Sequence, residues 1–408
     1  MLRSAPLRGV LPRTATQTPT TPVARRAASS LSQRPNSNHV SFPGAVKSAF
    51  TSTLKFETPG DYSAVPTYRI VDQNGIIVDE SFTPDLGEEE IVKLYKDMIS
   101  ISVMDLIMFD AQRQGRLSFY MVSADVIFCQ YREQGVFKQR GFTTTDFMNQ
   151  LFANSKDPGR GRNMPVHYGS KELNIHTISS PLATQLPQAS GAAYALKMQR
   201  QQDQSIPPKV VAAYFGEGAA SEGDFHAALN IAATRSCPVI FICRNNGYAI
   251  STPTLEQYRG DGIASRGLGY GIDTIRVDGN DIWAVREATK KAREMALENG
   301  GRPVLIEAMT YRVSHHSTSD DSFAYRARVE VEDWKRRDNP ITRLRKWMEA
   351  KGIWDEAKEK ECRDSTRREK QMAELRAHLE KYPDEYEVNE FEGGKDSLKA
   401  RRLYKTKG

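Results

Sequence analysis

Two polar turns near the middle of the chain carry residue types that can bind a metal ion together with phosphate groups. The first turn reads Gly216-Glu217-Gly218, and the second contains Asn245-Asn246 followed by Tyr248. The glycines allow the backbone to approach a phosphate closely, while the carboxylate and the second amide offer the hard oxygen ligands that Mg²⁺ prefers. The carbonyl of Tyr248, two phosphate oxygens and a water would complete an octahedral shell. The two turns therefore predict a magnesium site for a diphosphate.

Arg244 precedes the second turn and offers a donor fork that suits phosphate oxygens. The same residues allow another interpretation, in which Gly216-x-Gly218-x-x-Ser221 is a dinucleotide fingerprint and Arg244 accepts the 2′-phosphate of NADP. That pattern lacks its third glycine, and it leaves the acid and both asparagines without a role. A P-loop is excluded because no Gly-Lys-Ser/Thr sequence follows. A tight strand-to-helix turn that binds nothing is the third alternative.

The segments that flank the two turns are uniformly apolar runs separated by helical stretches. The apolar runs are VVAAYF (210–215), VIFIC (239–243), TIRV (274–277) and PVLIEAM (303–309), and the helical stretches are 222–235 and 282–297. Strands without polar alternation are typical of sheets covered on both faces, so we predict an α/β fold with a doubly wound, mostly parallel sheet. Both turns then lie at the carboxyl edge, beside helix N-termini that favour phosphate.

The remaining chain supplies scaffold and termini. Apolar residues recur at helical spacing over 87–114, which predicts one long amphipathic helix. Beyond Trp334 the chain is highly charged with helical patterning. We predict three regions: a targeting segment and linker at 1–45, the α/β domain at 60–335, and a charged helical C-terminal region at 336–408.

The N-terminal segment has the composition of a mitochondrial transit peptide. Before Glu57 it holds eight Lys and Arg residues with no acid, and it is rich in Ser, Thr and Ala. We therefore expect the mature protein in the mitochondrial matrix; a disordered basic N-terminus is the alternative. Removing these eight charges from the net +6 leaves −2 for the rest of the chain, which argues against a nucleic-acid partner. No apolar run is long enough to predict a membrane span.

The four cysteines show no pattern for metal binding or disulfide formation. Cys129, Cys237, Cys243 and Cys362 include no C-x-x-C pair and have no His partner at metal spacing. We predict no disulfide and no zinc site, and we interpret Cys237 and Cys243 as small buried apolar residues.

Longer stretches resemble a known family. They are FGEGAASEGDFHAALN, CRNNGYAISTPTLEQYRGDGIASRG, RVDGNDIWAV, EAMTYRVSHHSTSDDSFAYR, MPVHYG and ISSPLATQLPQASGAAYA. These are similar to alpha subunits of the decarboxylating component of the branched-chain 2-oxo acid dehydrogenase, from about Tyr68 onwards. The resemblance implies thiamine diphosphate, oxidative decarboxylation of acids such as 3-methyl-2-oxobutanoate, and acyl transfer to lipoyl groups. Pyruvate-type alpha subunits, the alternative, typically have Asp between the glycines.

The resemblance also implies roles for individual residues. It places magnesium on Glu217, Asn246 and the carbonyl of Tyr248. It places the cofactor against Gln130, Tyr131, Arg132, Ser180, Leu182, Gly218, Ala219, Arg244 and His316. It places potassium, a structural ion, on Ser179, Pro181, Thr184 and Gln185. Taken without the resemblance, the SSPLATQ segment reads as the start of a helix that contains proline.

Two adjacent histidines stand in the loop sequence SHHSTSDDS. The resemblance implies that His316 is catalytic, with His315 as a second candidate, because an imidazole that titrates near neutral pH can transfer a proton or stabilise a carboxylate. Ser317 matches the position that the family's dedicated kinase phosphorylates. The family's second phosphorylated position corresponds to Ala327, so one switch is implied.

The implied partners are a beta subunit in an α2β2 heterotetramer, the lipoyl-bearing acyltransferase core, and the kinase with its phosphatase. The beta subunit supplies the Glu that activates the cofactor, so the chain alone is expected to be inactive. One family segment of Gly- and Glu-containing sequence is missing between Ala124 and Asp125, and the C-terminal region is shortened after Lys370. These departures leave an alternative from another class, a catalytically impaired homologue or an assembly subunit.

Overall fold

The computed structural model describes residues 39–40, 48–49, 51–56, 62–107, 124–317, 319–381, 386–390 and 398–402. The chain divides after Tyr62 into two units. In the first unit, β1 (His39–Val40) pairs antiparallel with β2 (Ser48–Ala49), so β1 lies inside the predicted targeting segment and linker and β2 lies just after it. The described residues from Ser63 onwards belong to the second unit, which contains the sheet and both polar turns.

Six parallel strands form the sheet of the second unit. They are β3 (Thr67–Tyr68), β4 (Val126–Phe128), β5 (Val211–Gly216), β6 (Val239–Asn245), β9 (Asp273–Asp278) and β10 (Val304–Met309), and their order across the sheet is β3-β9-β10-β6-β5-β4. Two short strands, β7 (Tyr248–Ala249) and β8 (Thr252–Pro253), pair antiparallel directly after β6. The predicted doubly wound parallel sheet is confirmed.

Helices cover both faces of this sheet. They are α1 (Glu88–Ile107), α2 (Gln134–Gln139), α3 (Thr144–Leu151), α4 (Gln185–Gln202), α5 (Gly223–Arg235), α6 (Thr254–Gln257), α7 (Ala264–Gly269), α8 (Ile282–Leu297), α9 (Arg328–Arg337), α10 (Pro340–Ala350) and α11 (Glu356–Lys381). Alternate residues of β5 enter different cores: Val211 and Phe215 pack with α4 and α5, whereas Ala212 and Tyr214 pack in the cluster that contains α1 and α8. This double burial explains why the strands are uniformly apolar.

Local sequence explains where several helices begin. Thr143 and Asp146 form a reciprocal capping box at the start of α3. The Asp281 carboxylate caps α8 by accepting from two backbone N–H groups, and Asn339 caps α10 in the same way, with Pro340 in the first turn.

The predicted helix at 282–297 coincides with α8. The predicted helix at 87–114 matches α1 as far as Ile107, and its remaining residues lie outside the described part of the chain.

The C-terminal helices pack against the sheet domain and belong to the same unit. Tyr95 of α1 donates to Glu359 of α11 at 2.9 Å, and Thr144 of α3 donates to Glu369 of α11 at 2.6 Å. Beyond α11, the described residues include two antiparallel strands that the helical interpretation of 336–408 did not contain. These are β11 (Tyr386–Glu390) and β12 (Leu398–Arg402).

All four cysteines are free and buried, as small apolar side chains within or beside the cores. In the described part of the chain, no helix is both long and apolar enough to cross a membrane.

Candidate functional site

The carboxyl ends of β5 and β6 bring the two polar turns side by side. Gly216 is the register partner of Arg244, so the residues that follow each strand end at the same level of the sheet. The backbone N–H of Asn246 donates to Glu217 Oε2 at 3.2 Å. The acid of the first turn and the second asparagine of the next turn are therefore in direct contact.

Glu217 is a buried carboxylate whose hydrogen bonding is incomplete. Its residue is 1% exposed, and Oε1 has no hydrogen-bond partner among the described residues. Burial raises the pKa of Glu217, while backbone N–H groups and the charges of Arg244 and Arg312 offset this shift only in part. A buried acceptor without a partner carries the cost of its lost hydration, and a cation on Oε1 would remove that cost.

The second turn presents oxygen atoms beside this carboxylate. Asn246 Oδ1 accepts from the backbone N–H of Tyr248 at 3.2 Å, which folds the turn around Gly247. Gly247 has a φ of +87°, a conformation that suits glycine. No group of three or more His, Cys, Asp or Glu side chains converges within the described residues. The oxygens of Glu217, Asn246 and the Tyr248 backbone form a set of the kind that magnesium takes, with one carboxylate and neutral ligands.

The first turn approaches the second so closely that only glycine fits between them. A Cβ atom on Gly218 would lie 2.6 Å from the Cβ of Ala249 in β7. Ala219 and Ala220 follow in a buried turn of 3₁₀ helix (Ala219–Ser221), and α5 begins at Gly223. The backbone of this turn therefore lies at the edge of the site with no side chain to obstruct a ligand.

Several buried arginines surround the carboxylate with more positive charge than it can balance. Arg132, Arg244 and Arg312 are each less than 9% exposed, and Arg312 Nε and Nη1 have no partner within the described structure. Arg244 Nη2 lies 3.4 Å from Glu133 Oε1. Burial, together with the nearby charges of Arg244 and Arg312, lowers the pKa of Arg132 to about 10. Such a group of cations is suited to an anion with several oxygens.

The loop after β4 connects these arginines to the first turn. Gln130 Oε1 accepts from the backbone N–H of Gly216 at 2.9 Å, while Gln130 Nε2 has no partner among the described residues. Arg132 Nη2 donates to the backbone carbonyl of His316 at 2.9 Å, and the Tyr131 hydroxyl lies 3.5 Å from His316 Nε2. The structure thus places Gln130, Tyr131 and Arg132 at the site, although this loop follows the missing family segment closely.

The two histidines have different surroundings. Burial and the charges of Arg132 and Arg312 lower the pKa of His316 to about 4, so its imidazole is neutral at pH 7. His315 Nδ1 accepts from the backbone N–H of Ser322 at 3.0 Å, and its ring packs edge-on against Phe323. His316 therefore belongs to the site, whereas the described contacts of His315 are with its own loop.

A network of hydrogen bonds holds the histidine loop. Asp320 Oδ2 accepts from the backbone N–H of His316 at 2.6 Å and from the Tyr325 hydroxyl at 2.8 Å. Arg312 Nη2 donates to the Tyr325 hydroxyl at 2.6 Å, and Arg326 donates to the backbone carbonyl of Arg312. Burial raises the pKa of Asp320, but these hydrogen bonds and the charge of Arg312 lower it overall.

Ser317 lies within this loop. Its hydroxyl is 3.3 Å from the hydroxyl of Ser319, and its backbone carbonyl accepts from the N–H of Asp320 at 3.2 Å. The predicted phosphorylation site is therefore three residues from the carboxylate that holds His316 in place.

The residues predicted for the aminopyrimidine ring and for potassium lie on a separate turn before α4 and at the first residue of that helix. Ser180 Oγ lies 2.9 Å from His167 Nε2, and Leu182 is 37% exposed. Thr184 Oγ1 donates to the Pro181 carbonyl at 3.1 Å, and Ser179 is half-buried. Gln185 Nε2 donates to the Tyr214 carbonyl of β5 at 2.9 Å, which ties this turn to the strand that leads to Glu217.

Comparison with known proteins identifies the family. The model of the Dehydrogenase E1 component family matches residues 95–385. The chain belongs to this family. Members of the family depend on thiamine diphosphate and share the fold that binds this cofactor.

Individual relatives narrow the similarity to one kind of subunit. The 2-oxoisovalerate dehydrogenase subunit alpha of Caenorhabditis elegans is 53% identical over 334 residues, which cover 78% of this chain and 76% of the relative. The subunit of the same name from Mus musculus is 52% identical over 343 residues, which cover 80% of this chain and 76% of the relative. The subunit of Dictyostelium discoideum is 48% identical over 399 residues, which cover 86% of this chain and 89% of the relative. All three are named as mitochondrial.

Sequence reasoning missed three charged residues that shape the site. Arg312 is not among the residues predicted from the sequence, yet two of its nitrogen atoms lack a hydrogen-bond partner among the described residues. Glu133, which contacts Arg244, and Glu307, which contacts Asn245, were not considered at all. Glu307 interrupts the apolar run PVLIEAM, and an acid inside a fully buried strand is the signal that could have identified it.

Proposed function

We propose that the chain is the alpha subunit of a mitochondrial 2-oxoisovalerate dehydrogenase and that it holds thiamine diphosphate through Mg²⁺ at the ends of β5 and β6. The observation that carries the proposal is buried Glu217, which contacts Asn246, feels the charges of Arg244 and Arg312, and has an oxygen without a hydrogen-bond partner among the described residues. The names and high identities of the relatives support the same function.

The donor set fits the metal. Glu217 Oε1 would take one coordination position, Asn246 Oδ1 a second and the Tyr248 carbonyl a third, leaving the remaining positions to phosphate oxygens and water. Divalent charge on the carboxylate would reverse the effect of burial that now raises the pKa of Glu217.

The surrounding cations fit the diphosphate. Arg132 and Arg244 would neutralise its oxygens, and the two Arg312 nitrogens that lack a hydrogen-bond partner among the described residues offer further donors. Gly218 and Ala219 would bring their backbone close to the phosphates, because the turn carries no bulky side chain. Gln130 Nε2 provides one more donor. Three sets of atoms lack a hydrogen-bond partner among the described residues: Glu217 Oε1, two nitrogens of Arg312, and Gln130 Nε2. The metal-bound diphosphate would give all three a partner.

Bound thiamine diphosphate would supply the chemistry that releases carbon dioxide and retains the acyl fragment. His316 would serve the substrate as a neutral imidazole, because its pKa of about 4 leaves the ring uncharged at pH 7. The Tyr131 hydroxyl, 3.5 Å away, would orient that ring. Arg132 would fix the backbone of the same residue from the other side. His315 is the weaker catalytic candidate, since its Nδ1 already serves the loop.

Other parts of the proposal concern partners and regulation. Ser180 and Leu182 would contact the aminopyrimidine ring from the turn before α4, and a beta subunit would complete the site in an α2β2 heterotetramer. Potassium would stabilise that turn, because the Thr184 hydroxyl and the Pro181 carbonyl already lie within 3.1 Å of each other, with Ser179 and Gln185 beside them. The acyl group would pass to the lipoyl arm of an acyltransferase core in the mitochondrial matrix.

Phosphorylation of Ser317 by a dedicated kinase, reversed by a phosphatase, would switch the enzyme off. A dianion there would repel the Asp320 carboxylate, which holds the His316 backbone at 2.6 Å. The loop would then lose the network that presents His316. Ser317→Glu should abolish acyl transfer to the lipoyl domain, with Ser317→Ala as the uncharged control at the same position. Full activity of Ser317→Glu would contradict this proposal.

The direct test of function is co-expression with the beta subunit, followed by assay of the purified complex with thiamine diphosphate and Mg²⁺. We expect decarboxylation of 3-methyl-2-oxobutanoate to be faster than that of pyruvate. Preference for pyruvate would overturn the substrate assignment. An assembled complex that binds no cofactor would instead identify the chain as a non-catalytic assembly subunit, which is the alternative raised by the missing segment after Ala124.

A further inference from the structure

The adjacent asparagines at the end of β6 make different contacts. Asn246 meets Glu217 through its backbone and closes the turn through its side chain. Asn245 Nδ2 instead donates to Glu307 Oε1 at 2.8 Å and to the Tyr258 hydroxyl at 3.1 Å. The first asparagine is thus bound to a second acid, which the proposed magnesium site does not include.

The register of the sheet explains how Glu307 reaches Asn245. Glu307 of β10 is the partner of Cys243 in β6, and Asn245 lies two residues further along that strand. Side chains two residues apart share a face of the sheet, so Glu307 and Asn245 are diagonal neighbours on one face. Arg276 of β9 is the direct partner of Glu307 on its other side.

Glu307 is a rigid anchor, because donors engage both of its oxygens. Oε1 accepts from the backbone N–H of Ile263, and Oε2 accepts from that of Ala264 and from Arg276 Nε, all within 2.8–3.0 Å. The side chain is 0% exposed. A Cβ atom on Gly262 would lie 2.7 Å from both carboxylate oxygens, so the loop before α7 closes tightly over the group. This acid has no free oxygen for a ligand.

The anchor fixes the orientation of the Asn245 amide. Because Nδ2 is committed to Glu307, Oδ1 is free to accept, and it receives the backbone N–H of Gly247 at 3.2 Å. Gly247 stands between Asn246 and Tyr248, the two metal ligands of this turn, and has a φ of +87°. The position of both ligands therefore depends on a chain of contacts that begins at Glu307.

We propose that Glu307, acting through Asn245, is a positioning residue for the magnesium turn. The inference rests on the magnesium site proposed above. Mg²⁺ tolerates little departure from octahedral geometry, so a turn whose ligands are displaced by a fraction of an ångström would bind it more weakly. Neither residue touches the metal or the cofactor in this account. Their contribution is to hold the Asn246 amide and the Tyr248 carbonyl at the required places.

The test uses Asn245→Ala in the complex co-expressed with the beta subunit. Binding of thiamine diphosphate is measured by calorimetry at a series of Mg²⁺ concentrations, and the thermal unfolding of the cofactor-free complex is measured in parallel. We expect the half-saturating Mg²⁺ concentration to rise by about 10–100-fold, as for other outer-shell partners of metal ligands. Cofactor binding at saturating Mg²⁺ should stay close to that of the unaltered complex.

Two further variants keep the test decisive. Tyr258→Phe removes the other hydrogen bond of the same Nδ2 and leaves the Glu307 contact intact, so its Mg²⁺ dependence should be unchanged. Asn245→Ser keeps a side-chain oxygen that can accept from Gly247, so it should be intermediate and should fold if Asn245→Ala does not. A serine variant that is less stable but has unaltered Mg²⁺ dependence would show that the network only supports the fold.

The outcomes separate this inference from the function on which it rests. If the unaltered complex shows Mg²⁺-dependent cofactor binding and Asn245→Ala shows the same half-saturation, the positioning role is wrong and the proposed function stands. If the unaltered complex binds no cofactor at any Mg²⁺ concentration, both are wrong.

Discussion

Glu217 and Glu307 are buried glutamates near the same edge of the sheet, yet their surroundings are opposite. Glu217 accepts from the backbone of Asn246 and leaves Oε1 without a partner among the described residues. Glu307 accepts from two backbone N–H groups, an amide and Arg276. Burying a carboxylate costs free energy in both places, but only Glu307 regains it from the protein. The incomplete acid is therefore the one that we expect to serve a ligand.

The buried arginines Arg276 and Arg312 also differ in how completely the protein satisfies them. Arg276 pairs with Glu307 and Asp261, and these contacts account for its charge within the fold. Arg312 is equally buried, but two of its nitrogens have no partner in the described structure, and burial lowers its pKa. An anion bound among Arg312, Arg132 and Arg244 would accept from the nitrogens that lack a partner among the described residues and would offset the cost of burying these charges. The unsatisfied acid and the unsatisfied base mark one site.

Glu307→Gln should produce the largest loss of stability. The change leaves Arg276 buried without its full counter-charge, and removal of one partner from a buried pair costs about 3–5 kcal/mol. We expect a correspondingly lower apparent unfolding free energy of the cofactor-free complex, measured by urea titration. Lys291→Gln, which removes an exposed contact to Glu294, is the control and should cost under about 1 kcal/mol. Equal losses for the two variants would contradict the structural role assigned to Glu307.

Glu217→Gln should have the opposite effect on the cofactor-free complex. An amide relieves the cost of a buried carboxylate with an unpaired oxygen, so stability should stay constant or rise by about 1–3 kcal/mol. The same urea titration measures the change. A loss as large as that of Glu307→Gln would mean that Glu217 is structural, and the comparison between the two acids would then fail.

Gly218→Ala tests the close contact between the two turns. The new Cβ would lie 2.6 Å from that of Ala249, and both atoms are attached directly to backbone. Overpacking of this kind costs about 1–3 kcal/mol, and cofactor affinity should fall with it because the turn must move. Gly223→Ala is the matched control, since nothing lies within 4 Å of its Cβ position. Thermal unfolding and cofactor titration of both variants would check the prediction, and identical behaviour would refute it.

The smallest expected effect is a pH dependence caused by His316. Its pKa is about 4 in the folded chain and 6.5 when unperturbed, so the unfolded chain binds more protons between these values. The stability that comes from the neutral imidazole is present above pH 6.5 and is lost as the pH falls towards 4. His316→Gln should reduce this part of the pH dependence, by roughly 2–4 °C in unfolding temperature. An unchanged pH profile in the variant would contradict the pKa.

The fold was largely predictable from the sequence, because its central strands are apolar runs that can be recognised without the structure. VIFIC is uniformly apolar and PVLIEAM is interrupted only by Glu307, too few polar residues for a half-exposed strand. The residues of β6 and β10 are buried except for Met309. The glycines of the first turn and the paired asparagines of the second likewise placed Glu217 and Asn246 at one edge. Such patterns work when each residue's role depends on its own strand or turn.

The charged environment of the site was less predictable. A buried arginine and an exposed one have the same letter in the sequence, and only the folded chain brings Arg312 against the end of β6. The short helix α7 was missed for a related reason: its start is fixed by bonds from Ile263 and Ala264 to Glu307, which lies over forty residues away. Contacts between distant segments leave no local periodicity to read.

Glu217 Oε1 has no hydrogen-bond partner among the described residues because, we propose, it binds the metal ion that holds the diphosphate. Calorimetric titration of thiamine diphosphate with Mg²⁺ into the complex containing Glu217→Gln tests it most directly, with the unaltered complex alongside. We expect the variant to lose about 100-fold or more in affinity, equivalent to about 2.7 kcal/mol, while its cofactor-free unfolding temperature does not fall. Unaltered affinity in a correctly assembled variant would contradict it.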